Sequence, residues 1–239
     1  MAAVTLLETR ALSRSFGGLK AVQNVDFSLQ QGEIRALIGP NGAGKTTFVS
    51  MLCGRIAASS GQVFFEGAEV TGLPAHKRIQ QGMAYTFQIT SVFADLSVYE
   101  NVALAVQARS RGKAVMAGAM AALKRVGLAD RAEQRAGDLA YGHQRLLEIA
   151  MGLGQQPKLL ILDEPTQGLS DGEIEAFLAL IKGLAGQTTV LLIEHNIPVV
   201  MALAQRITVL SFGKVIAEGS PGEIHENARV QAAYLGSGE

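Results

Sequence analysis

The stretch Gly39-Pro40-Asn41-Gly42-Ala43-Gly44-Lys45-Thr46-Thr47 constrains the fold more than any other feature. It fits the spacing G-x-x-x-x-G-K-[ST], a loop that has to leave a strand and enter a helix. Both flanks agree. Ile34 to Ile38 is a short apolar run suited to a buried strand, and Gly44 to Gly54 reads as a helix. The glycines let backbone N–H groups curl inward toward phosphate oxygens, and the following helix directs its positive end at the same oxygens. Lys45 supplies a full charge for the β and γ phosphates, and Thr46 a hydroxyl for Mg²⁺. Residues 39 to 47 are therefore the candidate ATP-binding loop.

A second motif completes such a site. In Leu159-Leu-Ile-Leu-Asp163-Glu164-Pro165, apolar residues run into two carboxylates. A buried strand there delivers Asp163 to the sheet edge, where a carboxylate can hold Mg²⁺. Glu164 is then positioned to polarise a water for attack on the γ phosphate.

The rest of the chain reads as α/β. Partial alternation at Val22, Val25, Phe27 and Leu29 leads to a turn at Gln31-Gly32. Strands are expected around Val63 to Phe65 and Met83 to Phe87, with Pro74 as the first residue of a helix. From Val98 to Leu153, Ala, Leu, Arg and Glu dominate, as in a helical insertion. Buried-strand runs return at 158–162, 188–193 and 207–210, with a helix over 172–184 between the first two. Strands alternating with helices imply parallel βαβ units. One domain is expected over 1–239, its core formed by 1–87 and 156–239 and its helical subdomain by 88–155.

With 48% hydrophobic and 18% charged residues, the chain can bury a sizeable core. The 21 basic and 21 acidic residues balance, which argues against a nucleic-acid partner. The single cysteine, Cys53, excludes an intramolecular disulfide and fits a reducing cytoplasm. The first residues lack a signal-peptide layout, and no apolar run is long enough to span a membrane.

These motifs, in this order, resemble the ATP-binding-cassette ATPases over nearly the whole chain. The resemblance implies a P-loop core with a mainly parallel sheet, an N-terminal antiparallel β subdomain and an inserted α-helical subdomain. It implies that Phe16 stacks on adenine, that Gln88 touches the metal and the attacking water, and that His195 contacts the γ phosphate. Leu139-Ala140-Tyr141-Gly142-His143-Gln144 corresponds to the signature motif, usually L-S-G-G-Q, which closes over the ATP of a partner subunit. Ala140, Tyr141 and Gly142 are its candidate contacts, although the usual serine is missing. Gly142 opens the expected helix, and Ser170 replaces the usual aspartate of the loop Gly168-Leu169-Ser170. Catalysis falls to Glu164, His195 and Gln88, and metal binding to Thr46, Gln88 and Asp163.

Ser15 to Val22, Tyr85 to Gln88, Leu96 to Val102, Leu139 to Ala150 and Ala233 to Gly236 narrow the resemblance to importers of branched-chain amino acids. Relatives of that group also serve urea, short amides and aromatic acids, while soluble cassette ATPases and weakly hydrolytic regulatory subunits are more distant alternatives. The resemblance implies a second cassette, the same chain or a paralogue, two permease subunits and, indirectly, a periplasmic binding protein. It also implies a peripheral location on the cytoplasmic face of the membrane. Met151 stands where relatives often have arginine, and Tyr85 where arginine or lysine is common before Thr-Phe-Gln. Neither is expected to touch the chemistry.

Overall fold

The computed structural model describes residues 4–86 and 91–235. The chain begins with a long hairpin, β1 (Thr5–Phe16) and β2 (Leu19–Gln30), turned at Gly17-Gly18. Val25, Phe27 and Leu29 face inward at period two, so one face of the hairpin is apolar. After β3 (Ile34–Ile38) and α1 (Lys45–Leu52) come β4 (Ser60–Phe65) and β5 (Ala68–Glu69). They complete an antiparallel sheet of order β2-β1-β4-β5.

Next come α2 (Ala75–Gln81) and β6 (Met83–Thr86), then the helices α3 (Val98–Val106), α4 (Lys113–Arg125) and α5 (Tyr141–Gly154). The remainder alternates as β7 (Leu159–Asp163), α6 (Asp171–Leu184), β8 (Thr189–Ile193), α7 (Ile197–Leu203) and β9 (Arg206–Ser211), and ends in β10 (Lys214–Gly219), α8 (Pro221–His225) and α9 (Ala228–Leu235). The second sheet runs β10-β9-β3-β8-β7-β6, parallel except for β10. An antiparallel β subdomain beside a mainly parallel sheet with helices is the architecture the sequence led us to expect.

Every residue of β3, β7 and β8 is buried, which explains why these strands read as unbroken apolar runs. One core lies between the two sheets around α1, where Phe48 meets Phe27 edge to face at 5.6 Å between ring centroids. A second core joins α3, α4, α5 and α6 to the other face of the parallel sheet.

This topology positions the site. β3 lies beside β8, and β8 beside β7, all parallel. The loops leaving their C-terminal ends therefore converge: 39–44 after β3, 164–170 after β7 and 194–196 after β8. Ligands of open α/β sheets bind at this end of the strands. Two glycines keep the first loop tight. A Cβ on Gly39 would lie 2.0 Å from the Leu210 carbonyl oxygen, and one on Gly44 2.3 Å from that of Ala21. No L side chain fits either place, so the loop is wedged between β9 and β2.

Some boundaries differ from expectation. α1 starts at Lys45 because Gly44, at φ +98°, is its cap. Pro74 precedes α2 in an extended conformation rather than opening it. Gly142 is the second residue of α5, which opens at Tyr141, and Ser170 caps α6, which begins at Asp171.

Candidate nucleotide-binding and hydrolysis site

The loop 39–47 borders a cavity of about 760 Å³, within the range of small-molecule sites. Asn41, Gly42, Ala43, Gly44, Lys45, Thr46 and Thr47 line it. Gly39 and Pro40 contribute from behind: their carbonyl oxygens accept from Lys45 Nζ at 2.6 and 3.1 Å. Burial pulls the Lys45 ammonium below the usual lysine range, and Glu164 and then Asp163 oppose the shift. A cation held this way faces the cavity with its charge supported by two carboxylates. Phe16 lies on the same cavity, its ring 45% exposed and with the Arg14 guanidinium 4.6 Å from its centroid. Phe212, in the turn between β9 and β10, adds a second exposed aromatic to the lining.

Glu164 and His195 enter the same cavity from β7 and β8. His195 Nε2 lies 2.9 Å from Glu164 Oε1, so the imidazole orients the carboxylate directly. The Glu164 backbone is unusual for a side-chain-bearing residue, with φ +48°. The following proline adds to that restriction. The conformation is held by the Glu164 N–H, which donates to the Ile193 carbonyl at 2.8 Å. Buried Glu194 braces the two loops together: it accepts from the Thr166 N–H and hydroxyl on one side and from the His195 and Asn196 N–H groups on the other.

Asp163 ends β7 and is buried. Tyr85 donates its hydroxyl to Asp163 Oδ2 at 2.7 Å. This corrects the expectation that Tyr85 stands apart from the chemistry. The two strands pair with Tyr85 beside Ile161, which brings a long side chain on β6 within reach of the end of β7. Burial raises the Asp163 carboxyl above its ordinary value. The Tyr85 hydrogen bond is the strongest influence in the other direction, and it favours the ionised form.

The sequence of residues 22–167 matches the family model for ABC transporters. The chain belongs to the ATP-binding-cassette transporter family. Its C-terminal residues 214–239 match a second model, that of branched-chain amino acid ATP-binding cassette transporters. This cassette is 37% identical to the high-affinity branched-chain amino acid transport ATP-binding protein BraF of Pseudomonas aeruginosa, over 97% of the chain and 98% of BraF. It is 38% identical to LivG of Escherichia coli K12, a protein of the same description, at the same coverage. Among solved structures, the ADP conformation of the cassette MJ1267 superposes with a TM-score of 0.90 at 26% identity, covering 97% of this chain and 99% of that one.

In this cassette the candidate signature residues Ala140, Tyr141 and Gly142 do not line the cavity of their own chain. Ala140 and Tyr141 are exposed, and Gly142 is buried at the start of α5. Tyr141 packs instead against Gly168, and Gly142 against Glu173 of α6. A Cβ on Gly168 would lie 2.9 Å from the Tyr141 ring, and one on Gly142 would overlap the Glu173 carboxylate. Glu173 also accepts from the Ser170 N–H and hydroxyl at 2.9 and 2.7 Å, so the Ser170 hydroxyl has a partner within its own chain. Gln88 lies outside the described residues. Sequence reading missed Tyr85, Glu194 and Phe212. Glu194 alone carried a signal, as a carboxylate at the end of an otherwise apolar strand.

Proposed function

We propose that this cassette powers a membrane importer of branched-chain or related hydrophobic amino acids by hydrolysing ATP in the cavity described above. The observation that carries the catalytic reading is the 2.9 Å contact between His195 and Glu164 across the cavity lined by the phosphate loop. Adenine stacks on Phe16. The loop N–H groups and Lys45 take the phosphates, with Lys45 exchanging the Gly39 and Pro40 carbonyls for phosphate oxygens. Glu164 accepts a proton from water as the water oxygen bonds to the γ phosphorus and the bond to ADP breaks. His195 fixes the carboxylate and contacts the γ phosphate.

Thr46 and Asp163 offer a hydroxyl and a carboxylate oxygen, donors that suit Mg²⁺. Among the described residues no group of three or more His, Cys, Asp or Glu forms a metal cage. When bound, Mg²⁺ neutralises charge on the β and γ phosphates. In this reading Tyr85 orients the Asp163 carboxylate for the ion. Tyr85→Phe should then raise the Mg²⁺ concentration giving half-maximal turnover ~10-fold, with metal-free nucleotide affinity unchanged. An unchanged Mg²⁺ titration would remove that role.

The exposed start of α5 supports a composite site, in which Ala140, Tyr141 and Gly142 approach the ATP of a second cassette. A cassette of the same fold, MJ0796, forms a dimer in a post-hydrolysis state bound to ADP and Pi. No described helix is long and apolar enough to cross a membrane. By its likeness to the BraF and LivG transport proteins, we place the cassette peripherally on the cytoplasmic face, beneath two permease subunits to which a periplasmic binding protein delivers the solute.

The cargo assignment rests on the BraF and LivG likeness and on the C-terminal match. The test is reconstitution of the cassette with its cognate permease subunits and solute-binding protein, in liposomes containing ATP. ATP-dependent uptake of leucine, isoleucine or valine is the expected result. Uptake restricted to urea, short amides or aromatic acids would reject the cargo and retain the importer. Absence of ATP-driven uptake of any of them would reject both.

A further inference from the structure

One buried ion pair plays no part in the mechanism above. Arg145 and Glu148, on α5, are 1% and 4% exposed and meet at 2.7 Å. Such a pair is expensive to bury, and two apolar side chains would hold a helix at least as well. Its geometry indicates what the charge is for. Arg145 Nη2 donates to the carbonyl oxygens of Asp163 at 2.6 Å and Glu164 at 2.9 Å, and Nε reaches that of Pro165 at 3.4 Å. The rigid guanidinium fork thus grips three successive carbonyls of the loop that carries the general base. Glu148 fixes the fork and accepts from the Ser91 N–H at 2.6 Å and hydroxyl at 3.1 Å.

The gripped loop needs holding. Glu164 sits at φ +48° immediately before a proline, a conformation its neighbours have to impose. From above, Ile193 and Glu194 tie it to β8. From below, Arg145 is the charged group that meets its carbonyl.

We propose that Arg145 is a positioning residue for Glu164. Backed by Glu148 and Ser91, it holds the Asp163–Pro165 backbone so that the Glu164 carboxylate stays against His195. Because Arg145 stands four residues after Tyr141, the start of α5, the same contact ties the signature helix to the general base of its own chain. The proposal rests on Glu164 being that base.

The decisive variant is Arg145→Met/Glu148→Leu in the full chain, which removes both charges together and leaves neither unpaired. Its thermal midpoint, its equilibrium binding of methylanthraniloyl-ATP and its steady-state ATPase rate are measured. The expected result is a folded protein with nucleotide affinity within about twofold of the parent and kcat at least ~30-fold lower, as a small misplacement of a catalytic group can produce. Arg145→Lys keeps the charge without the fork, and its kcat is expected to fall ~10-fold with the same unchanged affinity. A folded double variant with kcat within threefold of the parent overturns the proposal. So does a double variant that unfolds, or that loses affinity and rate together, since the pair would then be structural. Glu164→Gln run alongside separates the two readings. If that variant turns over ATP within tenfold of the parent, the base assignment fails. If it is inactive while Arg145→Lys is normal, only the positioning role fails.

Discussion

Glu164→Gln is expected to lower ATP turnover by at least ~10²-fold while ATP binding stays within about threefold of the parent chain. The amide has the carboxylate's shape and its oxygen can still accept from His195, so the 2.9 Å contact survives. What it loses is the ability to take a proton from water. Binding should be spared for an electrostatic reason as well. Glu164 is the first of the two carboxylates that sustain the Lys45 charge, but it also repels phosphate across the same cavity. Removing its charge weakens both effects. Phosphate release and equilibrium nucleotide binding, measured on one preparation, separate the two quantities. Turnover within tenfold of the parent would exclude Glu164 as the base and shift attention to His195.

Lys45→Ala should act on the other quantity. The ammonium is nearly buried, and it donates to two carbonyl oxygens that ATP would replace with charged phosphate oxygens. A hydrogen bond to a charged group contributes about 1.5–3 kcal/mol. Losing it from the β and γ phosphates together costs about 3 kcal/mol or more, equivalent to a ~10²-fold or greater rise in Kd. The carbonyls of Gly39 and Pro40 stay in the loop beside the cavity, so water can replace the ammonium and the fold should persist. An unchanged thermal midpoint with a raised Kd is the expected pair of results. Tight ATP binding by this variant would contradict the assignment of the loop.

The parts of this site legible in the sequence are those whose chemistry requires short, local patterns. The phosphate loop could be read because a strand, a glycine turn and a lysine must follow one another within a few residues. Asp163 and Glu164 could be read because β7 is buried on both faces and so is apolar throughout until its charged end. Tyr85 could not. Its contact with Asp163 depends on β6 pairing with β7 in a particular register, and helices α3, α4 and α5 separate the two strands in sequence. Arg145 could not be read either: besides the Glu148 side chain, it holds backbone carbonyls of 163–165, which leave no mark on residue identity. The end of the chain was also hard to read. β10 is only half-buried at Val215, Ile216 and Ala217, and α8 spans five residues, so neither shows a clear period.

The strand that carries the phosphate loop has its hydrogen-bonding partners very late in the chain. β3 pairs on one side with β8, from Ile34 against Val190, and on the other with β9, from Arg35 against Arg206. A ribosome that has just released the loop 39–47 has therefore made the motif without the means to shape it. The nascent strand has to wait for more than half the polypeptide before either edge is paired, and such non-local pairing is intrinsically slow. Even a chain arrested just past His195, with every catalytic motif already translated, would lack β9 and the Leu210 carbonyl that abuts Gly39. The close packing that shapes the phosphate loop is thus completed only once β9 has been made.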